Sequence, residues 1–386
     1  MEIPITKPSF TEAEERKIVE VLRSGWVTQG PQVEHFEEAF AKYVGAPHAV
    51  AVSSCTTALH LSLVAAGVVP GDEVICPSYS FIATTNVIRY CGAKPVFIDI
   101  DPRTYNLDPG LLKSLITKRT KAVLAVHQVG LPADLDPILE IAAREGLKVI
   151  EDAACALGAE YKGRRIGRPH GFLACFSFHP RKIITTGEGG MVTANDPAVA
   201  RRLKQLRHHG MTVNDFVRHK AKSVVLEEYE ELGYNYRMSD LHAALGTVQL
   251  ERFPELLSQR LKLAERYNLA LAESDFLVPP YVPSHARPTY QSYLVRLKPN
   301  APISRDELMQ KLLELGISTR RGIMAAHRER PYAKEYRQIR LPHTESAVDE
   351  TFLIPLFPQL SPQEQEFVIT HLKELTSPKK LARLNR

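Results

Sequence analysis

Short apolar runs at residues 48–53, 73–76, 94–98, 121–126 and 147–151 alternate with stretches whose apolar residues recur at helical spacing. This alternation predicts βαβ units, because each pair of parallel strands needs a crossover helix that covers one face of the sheet. Ahead of it, Phe10 to Ser24 sets Ile18, Val21 and Leu22 on a helical stripe, and Thr11 and Glu14 have the spacing of a capping box. A glycine-bounded loop, Gly25–Pro31, holds the single tryptophan, Trp26, and a second amphipathic helix runs on through Phe36, Phe40 and Tyr43. Phe172–Phe178 reads as one more buried strand. Pro180 breaks it, and the cluster Gly187, Gly189 and Gly190 lets the chain turn before Met191–Thr193 resumes β character.

Beyond about residue 195 the strand signals thin out. Val213 to Glu231 is charged and aperiodic, which predicts an exposed excursion, and Leu241 to Leu257 predicts a helix. The proline-rich stretch Pro279 to Pro288 predicts a boundary. After it, Tyr293–Leu297 (strand) and Arg305 to Leu315 (helix) predict a small α+β unit. The expected division is a large α/β domain over residues 1–250, and a connecting helix with a small C-terminal domain over 251–386. The basic tail, Ser377 to Arg386, reads as a solvated end.

Composition narrows the function classes. With 386 residues, 44% hydrophobic and 24% charged, the chain has the make-up of a soluble globular enzyme. A net charge of +5 over this length is too weak to argue nucleic-acid binding. Five unclustered cysteines give neither a disulfide framework nor a CxxC metal signature, and Cys76, Cys91 and Cys175 read as small core residues. No basic-then-apolar leader and no run of ~20 apolar residues is present, so the expectation is a cytoplasmic protein with no membrane span.

The candidate chemistry gathers at strand ends, where open α/β sheets bind their ligands. Lys182 sits in the turn after Phe172–Phe178. Burial there disfavours the ammonium form, and a neutral amine can form a Schiff base with an aldehyde such as pyridoxal phosphate; a solvated loop lysine is the plainer alternative. Ser53–Leu59 follows a strand and opens a helix, which suits a phosphate, although Ser and Thr also cap helices that bind nothing. Phe81, after the strand ending at Cys76, can stack on a flat ring or simply belong to the core. Glu151 and Asp152 end another strand, and alternation turns only one of them to the cleft. There it could keep a pyridine nitrogen protonated, or cap the next helix. Gly233–Asp240 is a polar and aromatic loop with no evident packing role.

Together, Ser53–Leu59, Pro77–Phe81, Glu151–Ala159, Ser177–Gly190 and Gly233–Gly246 resemble the sugar-nucleotide aminotransferases of the DegT/StrS type, which are fold-type-I pyridoxal-phosphate enzymes. The resemblance runs from about Trp26 through Leu250, with weaker echoes to about Leu375. It implies a mostly parallel, seven-stranded central sheet flanked by helices, with a smaller α+β C-terminal domain. It also implies pyridoxal 5'-phosphate as cofactor, passing through a pyridoxamine 5'-phosphate form. Lys182 matches the Schiff-base lysine and Asp152 the partner of the pyridine nitrogen. Phe81 matches the ring-stacking position, and Thr56, Thr57 and Ser177 the phosphate contacts. Asn235 looks like the residue that reaches the phosphate from a neighbouring subunit, which implies a homodimer with shared active sites. Arg237 and His327 stand at substrate-side or supporting positions.

Three departures from the family pattern are visible: Cys155 replaces a glutamine beside the cofactor's ring hydroxyl, His242 replaces another glutamine, and Cys55 replaces a glycine of the phosphate loop. A thiol is a poor donor, which predicts an altered absorbance, and the lost glycine predicts a tighter turn.

The activity implied is transamination from an amino acid, L-glutamate first, to a keto-sugar carried on a nucleoside diphosphate. The turn Thr185–Gly190 is closer to members that aminate C4 than to those that aminate C3. A dehydratase on the same scaffold would carry histidine in place of Lys182, and His179 lies three positions off. A non-catalytic regulator remains the reading from another class. A nicotinamide dehydrogenase is disfavoured, since no GxGxxG follows an early strand.

Overall fold

The computed structural model describes residues 2–213, 218–219 and 221–378. Nine strands precede residue 195: β1 His48–Val52, β2 Glu73–Pro77, β3 Lys94–Ile98, β4 Thr120–Val126, β5 Lys148–Asp152, β6 Glu160–Tyr161, β7 Arg164–Arg165, β8 Leu173–Ser177 and β9 Gly190–Ala194. Seven of them form one sheet in the order β1-β9-β8-β5-β4-β2-β3. The pairings of β8, β5, β4, β2 and β3 are parallel, and β9 runs antiparallel to both β8 and β1.

Helices cover both faces, so the strands are apolar on both sides rather than alternating. Alternation survives as a division between two cores. Ala49, Val149, Ala174 and Phe176 pack on one face with Phe36 and Phe40, while Val50, Ile150, Leu173 and Cys175 pack on the other with Leu59 and Leu61. The capping box forms at the first helix, Glu12–Ser24, where Thr11 and Glu14 satisfy each other's backbone amides.

A third core belongs to the C-terminal part. There β10 Leu277–Val278, β12 Tyr293–Leu297, β13 Arg320–Arg321 and β14 Thr351–Ile354 make an antiparallel sheet in the order β10-β12-β14-β13. The helix expected over 241–257 runs from Asp240 to Leu271, straight through Pro254 and past residue 250. Its first half packs Ala243, Leu250 and Phe253 into the first core, and its second half packs Ala264, Tyr267 and Leu271 into the third. Tertiary burial on both halves outweighs the one backbone bond that proline removes. Arg260, buried on this helix, donates to the carbonyls of Tyr290, Gln291 and Leu356 and ties the C-terminal part to it.

The stretch Pro279 to Pro288 also crosses between regions. Within it, β11 Ala286–Arg287 pairs with β6. The described residues of the 213–231 excursion include the exposed Val224, Leu226 and Tyr229, while residues 214–217 and 220, and 379–386 of the basic tail, lie outside the described residues. No helix among the described residues is long and apolar enough to cross a membrane.

Candidate active site

The turn after β8 is held from three directions. Thr186 N–H and Thr185 Oγ1 donate to the Phe178 carbonyl at 3.0 and 2.7 Å, closing the loop on itself. Gln291, from the C-terminal part, accepts from Ile183 N–H at 3.1 Å and donates to the Arg181 carbonyl at 2.6 Å. Gln249, on the long helix, accepts from Thr185 N–H at 3.3 Å. Lys182 therefore has a fixed backbone, and its side chain reaches into a cavity of about 360 Å³.

Asp152 faces the same cavity from the end of β5, the strand beside β8. Its carboxylate accepts from Thr84 Oγ1 at 2.9 Å and from Ala154 N–H at 3.2 Å. Glu151, one residue earlier, points to the opposite face. There it accepts from the backbone N–H groups of His170 (2.6 Å) and Gly171 (3.2 Å), with His127 Nε2 at 3.3 Å. His127 Nδ1 accepts from Ala133 N–H, so Nε2 carries the proton that His127 gives to Glu151. Burial alone would raise the Glu151 pKa, but the hydrogen bonds from His127 and His170 hold it down to about 2. Alternation along β5 thus separates a structural carboxylate from a cavity carboxylate.

Burial also raises the Asp152 pKa above the usual carboxylate value, against the pull of Thr84, the Ala154 amide and Lys182. No ion pair among the described residues within 4 Å includes Asp152, so this enclosed carboxylate has only neutral donors close by. Lys182 corrects a sequence argument. Burial does disfavour its ammonium form, but Cys155, Cys55 and Asp152 favour that form more strongly, and the pKa lies above the usual lysine value. Its Nζ donates to Cys155 Sγ at 3.1 Å. Desolvation without nearby acids would have given the opposite sign.

At the other end of the cavity, Ser54 caps the helix Cys55–Ala65, and Ser54, Cys55 and Thr56 line the wall. A Cβ on Gly190 would lie 2.5 Å from the Ser54 carbonyl, so glycine is what lets β9 close on this loop. Cys55 is buried as the first helical residue and has no left-handed backbone, so the turn does not need the missing glycine. Phe81 lines the cavity with 57% of its surface exposed, and Ser177 and His179 line it from the β8 side.

Four sequence-predicted positions lie elsewhere. Thr57 completes the helix cap instead: its hydroxyl accepts from Ser54 N–H and donates to the Ser54 carbonyl, which leaves Ser54 and Thr56 at the cavity. His327 is buried behind the wall, with Nδ1 2.7 Å from Ser78 Oγ and Nε2 3.6 Å from Glu345, so in this chain it supports the wall rather than facing a substrate. Asn235 forms a backbone bridge with His208, and Arg237 places Nη1 2.7 Å from His208 Nδ1; neither lines this cavity in the single chain. His242 pairs with Ser239 at the start of the long helix. Sequence reasoning missed Ser54, Thr84, Gln291, Arg181 and Arg320. The signal for Thr84 was available, since it follows Phe81 by one helical turn. Gln291 and Arg320 carried none.

The model of the DegT/DnrJ/EryC1/StrS aminotransferase family matches residues 8–373. The chain belongs to that family. Among solved structures it is similar to the aminotransferase TlmJ from Streptoalloteichus hindustanus, at 35% identity over 100% of both chains with a TM-score of 0.89. It is also similar to S. venezuelae DesV, solved with a ketimine intermediate, at 34% identity over 97% of this chain and 99% of that one, TM-score 0.87. Spr1654 from Streptococcus pneumoniae in its PMP form matches at 29% identity, over 97% and 99%, with a TM-score of 0.91.

The aminotransferase works with pyridoxal phosphate, and its residues fit that cofactor. A buried carboxylate whose hydrogen-bond donors, Thr84 and the Ala154 amide, are both neutral suits a protonated pyridine nitrogen. The capped helix start, approached by Gly190, suits the phosphate. Phe81, Asp152 and Lys182 all line the space between. Among the described residues no cluster of His, Cys, Asp and Glu is arranged to hold a metal ion.

Proposed function

We propose that this aminotransferase moves an amino group from L-glutamate to a keto-sugar carried on a nucleoside diphosphate, at C4 of the sugar rather than C3. The observation that carries the reading is the placing of Lys182 and Asp152, from neighbouring parallel strands, on one cavity of about 360 Å³. The family and a neighbour named as a sugar aminotransferase support the substrate class, and the motif Thr185–Gly190 supports C4 by its likeness to C4-aminating members.

Bound pyridoxal phosphate supplies an electron sink that stabilises negative charge on the carbon bearing the amine. The chain supplies the rest. Asp152 holds the ring nitrogen's proton, with Thr84 and the Ala154 amide fixing the carboxylate. Phe81 would lie against the ring, and Thr56 and Ser177, with Ser54, would hold the phosphate. Asn235 reaches the phosphate from a second copy of the chain, in a homodimer with shared sites. Lys182 would take the proton from the substrate's Cα and deliver it to the cofactor's C4′, two bonds away across the nitrogen, a span that one amine on a fixed turn can cover. The cleft's enclosure limits water during that transfer. The enzyme acts in the cytoplasm on small soluble substrates.

Glutamate added to the purified enzyme is expected to bleach the visible band of the bound cofactor. The resulting amine form is then screened against 4-keto and 3-keto nucleotide sugars. Recovery of the band with 4-keto substrates alone supports the reading, and recovery with none of them overturns it.

A further inference from the structure

Two guanidinium groups that line the cavity have no counter-ion among the described residues of this chain. Arg181 precedes Lys182 in the turn, and Arg320 lies on the exposed strand β13 of the C-terminal sheet; both line the same cavity. Arg181 is held through its backbone, by His179 on the N–H and Gln291 on the carbonyl, and no described residue gives the guanidinium of Arg181 or Arg320 an ion pair or hydrogen bond. Arg321, next along β13, is paired with Glu329 at 3.1 Å and is not available in the same way. Partial burial and the charge of Arg320 both press the Arg181 pKa below the usual arginine value, so the two cations feel each other. Like charges set together without an acid between them are unfavourable unless an anion joins them. Glu188 also lines the cavity, but it forms no ion pair with either arginine.

Size decides which anion. The cavity of about 360 Å³ lies near the lower end of the ~300–1,000 Å³ usual for ligand sites, so the cofactor and one sugar ring fill it. A nucleotide attached to that sugar must leave through the mouth. Its diphosphate, carrying two negative charges, then crosses the rim where the two guanidinium groups stand. A donor carboxylate carries one charge, and the α-carboxylate must stay beside the reacting carbon, deeper in the cavity.

We propose that Arg181 and Arg320, one from each part of the chain, form the subsite that binds the diphosphate of the nucleotide-linked substrate. The inference rests on the nucleotide-sugar reading above. The subsite bridges the two parts of the chain, so acceptor binding also ties β13 to the turn that carries Lys182. Arginine suits the task because its planar donors pair with two phosphate oxygens at once.

The test uses the full-length holoenzyme, so that the cofactor already fills its own phosphate site. Titration calorimetry with UDP, inorganic pyrophosphate and uridine is compared for the wild type, Arg181→Ala, Arg320→Ala, the double variant and the two lysine variants. UDP and pyrophosphate are expected to bind and uridine to bind at least about tenfold more weakly. Each alanine variant should lose about tenfold in affinity for both anions, and lysine should restore part of it. The KM for glutamate should change by at least tenfold less than the UDP affinity in every variant. Unchanged anion affinity in the double variant overturns the subsite, leaving two solvated rim charges. A loss for glutamate equal to that for UDP overturns it in favour of a donor-carboxylate site. Should pyrophosphate bind through these arginines while glutamate fails to bleach the wild type, the subsite stands and the transaminase reading falls.

Discussion

The Lys182 amine donates a hydrogen bond to Cys155 Sγ at 3.1 Å, so the reactive nitrogen of this enzyme rests beside a thiol. Cys155 is first among the groups that favour the charged lysine, ahead of Cys55 and Asp152. Capture of the cofactor aldehyde requires the neutral amine, so the thiol sets part of the pH requirement for loading.

Cys155→Ala removes that influence and lowers the Lys182 pKa. The rate at which cofactor-free enzyme regains its visible band should then rise at a given pH, with the pH profile moved toward acid. Reconstitution rates across a pH series check this, and a profile unmoved or moved toward alkali would show that Asp152, not the thiol, governs the amine.

Asp152 and Thr84 allow a graded comparison. Asp152→Asn removes the charge facing the ring nitrogen and should lower kcat by roughly a hundredfold or more, about 3 kcal/mol, while the cofactor still binds. Thr84→Val leaves the charge and removes one donor, so a loss of about tenfold or less is expected. Single-turnover bleaching by glutamate measures both. A Thr84→Val loss as large as that of Asp152→Asn would mean that carboxylate orientation outweighs its charge.

Gly190→Ala tests the phosphate end. The new Cβ would lie 2.5 Å from the Ser54 carbonyl, and backbone on both sides prevents an easy retreat. The expected result is weaker cofactor retention and a stability loss of about 1–3 kcal/mol, read by dialysis and by thermal unfolding of the cofactor-free protein.

Glu151 should appear in acid stability rather than in turnover. Its pKa falls from 4.5 to about 2 in the folded chain, so folding favours the ionised form. That stabilisation is complete above the unfolded value and disappears as the pH falls from about 4.5 toward 2; its size is about 3 kcal/mol. Glu151→Gln should therefore unfold more readily than the wild type near pH 6, with the gap reduced by more than half near pH 3. Denaturant titrations at the two pH values measure it, and a constant gap would assign the loss to packing.

The strands, the capping box at Thr11 and Glu14 and the positions of Lys182, Asp152 and Phe81 at the cavity were legible in the chain because each depends on local pattern. Thr57 and His327 were not. Both have the right chemistry in sequence, but Thr57 is taken up by the cap it shares with Ser54, and His327 by a contact with Ser78 that spans 249 positions.

Local order along the chain determined which strands form and which strand ends carry a lysine, a carboxylate and a hydroxyl-rich helix start, since period, capping and turn chemistry act over a few residues. Tertiary structure decided the rest. It set Gln291 against the Lys182 turn and Arg320 at the rim beside Arg181, and carried one helix through Pro254 between two cores. Those relations depend on contacts between distant segments, where burial and paired charges outweigh local preference, and no short window of sequence contains them.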